Sequence, residues 1–208
     1  MNEEFRHNFA EFVSKITQAP LLAIPAFFIL NFVFLHGLDT NFAGIEFICL
    51  LFGTILPIAS MIIAVELKKR KNENTEYDLP NKEDRVIPYI LAIISYLTGT
   101  IILYFFNAPL LTIGLMFCYF SNTLIAFLIN FCYKISAHSI GVMGPATALV
   151  FAFGYIGFIY ALILPFVMWS RICLKKHTVL QVITGALLGF VLTAVQLWII
   201  GRIYLPNC

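Results

Sequence analysis

Residues 86–106 read VIPYILAIISYLTGTIILYFF, and no charged side chain interrupts them. At about 1.5 Å of rise per helical residue, such a run measures about 30 Å, the thickness of a bilayer's hydrocarbon core. No water is present at that depth to satisfy backbone N–H and C=O groups, so the run is expected to be a transmembrane helix. Similar runs lie on both sides of it: Pro20 to His36, Phe42 to Leu67, Pro109 to Tyr133, and Thr178 to Tyr204. One more, Ser139 to Trp169, is too long for a single span, and Gly154, Tyr155 and Gly157 place a turn near its middle, giving two shorter helices. The whole chain agrees with this pattern. Hydrophobic residues make up 61%, charged residues 12%, and the mean hydropathy is +0.91. Soluble domains carry about half apolar and about a quarter charged residues.

The expected fold class is therefore all-α: a polytopic membrane bundle of six to seven transmembrane helices, forming one domain over residues 1–208. Within it, residues 1–17 read as an interfacial helix, because Phe5, Phe9, Phe12, Val13 and Ile16 recur at helical spacing. Glu3 and Glu4 speak against a cleaved signal peptide there. Residues 68–85, KKRKNENTEYDLPNKEDR, form a polar loop.

Seven crossings put this loop, the segment Lys134–His138 and the segment Ser170–His177 on the same side as the N-terminus. Arg6, Lys15, Lys68, Lys69, Arg70, Lys71, Lys82, Arg85, Lys134, Arg171, Lys175 and Lys176 then share that side, leaving Arg202 of the 13 lysines and arginines for the other. By the positive-inside rule that side is cytoplasmic. The run from Lys68 to Lys71 reads as a topology determinant in contact with anionic lipid. The cysteines (Cys49, Cys118, Cys132, Cys173 and Cys208) form no C-x-x-C pair and read as small packing residues, with Cys173 alone beside a polar loop.

Two loop segments carry chemistry. One is Lys134-Ile135-Ser136-Ala137-His138; the other is Ser170-Arg171, five residues, His177, three residues, Gln181. Ionisable groups beside apolar spans are costly and mark function. Lys134 and Arg171 supply positive charge, and an arginine fork grips two phosphate oxygens. Ser136 and a following helix N-terminus add neutral donors. Two imidazoles allow one to attack phosphorus while the other protonates the leaving alkoxide. Gln181, one helical turn after His177, lies on the same face and can hold its ring in one tautomer. No metal or other cofactor is needed. His7 and His36 stand outside such patterned loops and are read as structural.

The two segments resemble the second and third signature motifs of the type 2 phosphatidic acid phosphatase superfamily, P-S-G-H and S-R-x5-H-x3-D. The matches are Ser136, His138, Ser170, Arg171 and His177, and the resemblance runs from Lys134 to residue 204, with Gly185 and Gly189 fitting the small-residue helix that follows. It implies a membrane phosphatase acting on a lipid phosphate or diphosphate, phosphatidate-like or isoprenoid. It also implies a phosphohistidine at His177, with His138 as general acid. Arg171, Lys134, Ser136 and Ser170 would then bind phosphate. The chain departs from the motifs at Ile135, Ala137 and Gln181. A neutral orienting partner costs about four orders of magnitude in a serine protease, partly through the wrong tautomer, so reduced chemistry is expected here. The family's first motif, K-x6-R-P, has as its nearest counterpart Lys82-x2-Arg85-x2-Pro88, which makes Arg85 a further phosphate ligand.

Expected partners are the lipid phosphate and the surrounding membrane lipids; nothing points to nucleic acid, and a homo-oligomer is compatible with the pattern. Three rivals stand beside this reading. One is a relative that binds a headgroup without turnover, with Gln181 as its mark. Another is a magnesium-dependent prenyl transferase using Glu73, Glu76, Asp78, Glu83 and Asp84, although such enzymes need acidic motifs on two facing loops. The third is a transporter, for which only Glu46 and Glu66 lie within spans, both near the ends.

Overall fold

The computed structural model describes residues 2–35, 41–69 and 85–204. His36, Arg70, Lys71, Lys82, Cys208 and the five acidic residues of the 73–84 segment lie outside these. The described residues are helical almost throughout, with no strand among them. The elements follow the apolar runs closely. Helix α1 spans Glu3–Ile16, α2 Ala19–Leu35, α3 Phe42–Leu50, α4 Leu56–Lys69, α5 Val86–Phe105 and α6 Leu110–Asn130. Then come α7 at Ala137–Phe153, α8 at Phe158–Ala161, α9 at Leu164–Cys173 and α10 at Val179–Tyr204.

Local chemistry sets the joints. Glu3 and Glu4 in the first turn of α1 and Lys15 in its last complement the helix dipole. A break at Thr17 and Gln18 turns the chain by 53° into α2. The Asn41 side chain caps α3 by accepting from Gly44 N at 2.9 Å. A π-helical turn, Leu51–Ile55, joins α3 to α4, so that Phe42–Lys69 forms one stretch. Between α5 and α6, Asn107 adopts φ 52° and Pro109 precedes the first turn of α6. Gly154, at φ 65°, ends α7, and a 3-10 turn over Gly154–Gly157 folds the chain back. A Cβ on Gly157 would lie 2.3 Å from Val150 N, so only glycine admits this contact.

Among the described residues, five helical stretches are long and apolar enough to cross a membrane, or six if the bent α1–α2 pair counts as one. Six to seven spans were expected; the difference lies at Ala137–Cys173, which counts once by length and composition although its backbone breaks at Gly154.

The surface is what the bilayer requires. Large apolar side chains such as Phe105, Ile94 and Trp198 face outward, and polar groups turn inward. Asn31, fully buried on α2, donates to Glu46 of α3 at 2.7 Å and accepts from Thr112 of α6 at 2.6 Å. Asn122 of α6 donates to Thr193 of α10 at 2.9 Å. Such bonds join helices where hydrophobic burial supplies little drive.

The most extensive helix contact is between α7 and α10. Gly185 and Gly189 make it. A Cβ on Gly185 would meet the Ser136 carbonyl at 2.7 Å, and one on Gly189 the Ile140 carbonyl at 2.9 Å. The glycines let two backbones touch, and that contact sets the start of α7 beside the start of α10.

Candidate active site

The segment between α9 and α10 is a closed turn. Backbone N–H groups of Lys176 and His177 both donate to the Arg171 carbonyl, at 3.0 and 3.3 Å. Lys175 takes up the left-handed conformation this needs, at φ 54°. The five-residue spacing therefore ties His177 back onto the end of α9 beside Arg171.

The next four residues form a reciprocal cap. Gln181 N donates to Thr178 Oγ1 at 3.3 Å, and Thr178 N donates to Gln181 Oε1 at 3.1 Å. The second bond identifies the oxygen of the Gln181 amide. The same oxygen lies 3.2 Å from His177 Nδ1, so Nδ1 carries the hydrogen and donates it. A neutral ring held in this way presents its lone pair at Nε2. Burial, reinforced by the positive charge of Arg171 and more weakly by Arg85 and Lys134, lowers the His177 pKa to about 4, although the bond to Gln181 acts the other way. The ring is therefore uncharged at neutral pH, as a nucleophile must be.

His138 stands one residue inside α7. Ser136 caps that helix: its hydroxyl accepts from Ser139 N at 3.4 Å and from Ser139 Oγ at 3.1 Å. Ser136 N donates to the Gln181 carbonyl at 3.3 Å, stitching the two helix starts together.

A cavity of about 180 Å³ gathers these groups. Arg85, His138, Arg171 and His177 line it at the helix ends. It continues between α4, α5, α6 and α7 past Met61, Tyr96, Leu115 and Cys118. Tyr96 sits ten residues after Val86, about 15 Å into the bundle. One end is thus cationic and imidazole-lined, and the other is mostly apolar, with Asn122 and Thr123 of α6 in its wall.

Four of the eight expected site residues line this cavity: Arg85, His138, Arg171 and His177. Arg85, the counterpart carried over from the first motif, is in the cavity wall. Lys134 acts on His177 through its charge without lining the cavity. Ser136 and Ser170 are not brought to it. Both are fully buried, Ser136 as the cap of α7 and Ser170 donating to the Val167 carbonyl at 2.9 Å within α9. Each hydroxyl makes a bond within its own helix. Among the described residues, no three of His, Cys, Asp and Glu cluster closely enough to hold a metal ion.

Ser14 of α1 reaches the site unannounced. Its hydroxyl accepts from Arg171 Nη1 at 2.7 Å, and its carbonyl lies 3.2 Å from His138 Nε2. On α1 the buried Ala10, Val13, Ser14 and Thr17 lie opposite the exposed Phe5, Phe9, Phe12 and Ile16. No family model matches the chain, and neither a curated protein nor a solved structure is significantly similar to it.

Proposed function

We propose that this chain is a membrane phosphatase that removes a phosphoryl group from a lipid phosphate or diphosphate through a phosphohistidine at His177. One observation carries the reading. Thr178 fixes the Gln181 amide, and Gln181 fixes the His177 tautomer, leaving an uncharged Nε2 in a cavity shared with Arg171, Arg85 and His138. The cavity's cationic mouth and apolar depth suit an amphiphile with an anionic head.

In this mechanism Arg171 and Arg85, with Lys134 nearby, hold the phosphoryl oxygens and offset the charge that develops on them. His177 Nε2 attacks phosphorus, and a P–N bond forms as the P–O bond to the lipid breaks. His138, protonated on both ring nitrogens, gives its Nδ1 proton to the departing oxygen while Nε2 stays bonded to the Ser14 carbonyl, and the oxygen leaves as the lipid alcohol, or as the lipid monophosphate when the substrate is a diphosphate. Water then attacks the phosphohistidine while His138 takes a proton from it, releasing inorganic phosphate and restoring His177. By the charge asymmetry of the sequence the cavity mouth faces the cytoplasm.

The test is phosphate release from a panel of lipid phosphates by the purified chain, with and without EDTA. Release is expected to be indifferent to EDTA and absent in His177→Ala. In His138→Ala kcat is expected to fall more than KM rises, because a general acid acts in the transition state. Magnesium-dependent release that survives His177→Ala overturns the proposal. The neutral Gln181 favours one alternative, a relative that binds the same headgroup without turnover; it predicts phosphate binding with no release.

A further inference from the structure

We infer that Ser14 is a positioning residue of this site, so that α1 is part of the site's machinery rather than an appendage of the bundle. The inference rests on the phosphatase reading for its substrate, but its geometry stands independently.

Two bonds converge on one residue. Arg171 is 1% exposed, and its Nη1 donates to Ser14 Oγ at 2.7 Å. A guanidinium carries five N–H donors in a rigid plane, so fixing one of them fixes the direction of the rest. The Ser14 carbonyl, 3.2 Å from His138 Nε2, can only accept, so that ring nitrogen bears a hydrogen and the ring plane is set. Ser14 thus does for His138 what Gln181 does for His177. The carbonyl is available for this because it belongs to the last turn of α1, where carbonyls have no partner within the helix.

The helix is held in place to deliver Ser14. Ala10, Val13 and Ser14 face inward, and Phe9 packs on Trp169 of α9 with ring centroids 5.7 Å apart. The residue that orients Arg171 is therefore carried by an element docked on Arg171's own helix. Arg171 and His138 come from different helices, and Ser14 is a bonded neighbour of both.

The test compares wild type with Ser14→Ala and Ser14→Thr in the purified full chain, reading phosphate release and inhibition by orthovanadate. Losing a hydrogen bond to a charged group is expected to raise KM and the vanadate inhibition constant about tenfold, with kcat changed less than about threefold. Ser14→Thr, which keeps the hydroxyl, is expected to restore both. Ser14→Cys keeps the volume with a poorer acceptor and replaces Ser14→Ala should the latter unfold. Unchanged or tighter vanadate inhibition in Ser14→Ala overturns the inference, because the hydroxyl would then be idle or competing with the anion. Should wild type release no phosphate from any substrate, the phosphatase reading falls, and Ser14 is judged by orthovanadate's protection against thermal unfolding. Protection in wild type and Ser14→Thr but not in Ser14→Ala supports the inference; equal protection in all, or none in any, defeats it.

Discussion

The side-chain oxygen of Gln181 lies 3.2 Å from His177 Nδ1 and stands where a carboxylate is found in the motif this segment resembles. An amide oxygen orients the ring as a carboxylate does, but it lacks the charge that would favour an imidazolium. Gln181→Glu has the same reach, so it should preserve the bonds to Thr178 and His177 and add the charge. We expect a higher kcat and an acid limb of the rate profile displaced to higher pH, since the carboxylate raises the His177 pKa from about 4. Gln181→Leu removes both bonds and should lower kcat by about a hundredfold or more, by comparison with other tautomer-holding partners. Rate profiles of the three proteins from pH 4 to pH 9 check this; an unmoved acid limb in Gln181→Glu counts against His177 as the nucleophile.

The depressed pKa also makes stability depend on pH. In the unfolded chain His177 takes up a proton near 6.5, whereas in the folded chain it does so only near 4. As pH falls from about 6.5 towards 4 the unfolded state binds a proton that the folded state does not, so stability is lost across that window and is fully present above it. At pH 5 the loss is about 1–2 kcal/mol. Thermal unfolding at pH 7 and pH 5 should show a larger drop for wild type than for His177→Ala, and equal drops would mean that His177 is not the group responsible.

Backbone contact at Gly185 and Gly189 predicts a steric effect with a built-in control. A methyl at either position must push α7 from α10, because the nearest atom it meets is a backbone carbonyl oxygen. Each alanine variant should cost about 1–3 kcal/mol and most of the activity. Gly201, on the same helix with nothing within 4 Å of an added Cβ, should accept alanine without loss. Melting temperatures and phosphate release of the three variants measure this, and a tolerant Gly185→Ala would contradict the packing.

Orientation is tested by labelling single cysteines with an impermeant reagent in intact cells, in a background without the native ones. Lys175 and Tyr155 are both exposed and lie at opposite ends of the α7–α9 arm. Lys175→Cys is expected to be protected and Tyr155→Cys to react; the reverse pattern puts the cavity mouth outside.

How much of this was legible in sequence follows from the range of each interaction. The spans were readable because apolar length is a local property, and even the turn at Gly154 announced itself. Arg171 and His177 were readable because their contact closes within one turn of chain. Ser136 is ambiguous in sequence because serine serves equally well as a helix cap and as a phosphate donor, and its bonds to Ser139 show the cap. Ser14 escaped because its partner Arg171 lies 157 positions away and nothing in either segment names the other.

The π-helical turn at Leu51–Ile55 has a consequence for how this chain tolerates change. It holds one residue more than an α-turn, and its unusual backbone leaves the Phe52 carbonyl to accept from Ser95 of α5 at 2.8 Å. Deleting one codon there would spare the length and apolar character of Phe42–Lys69, so the segment would still insert. The turn would tighten to an α-turn with Pro57 and Met61 still in the cavity wall, but the Phe52 carbonyl would be drawn back into the helix and lost to Ser95. Loss of that residue is therefore silent to the insertion machinery and felt where α5 packs on the turn.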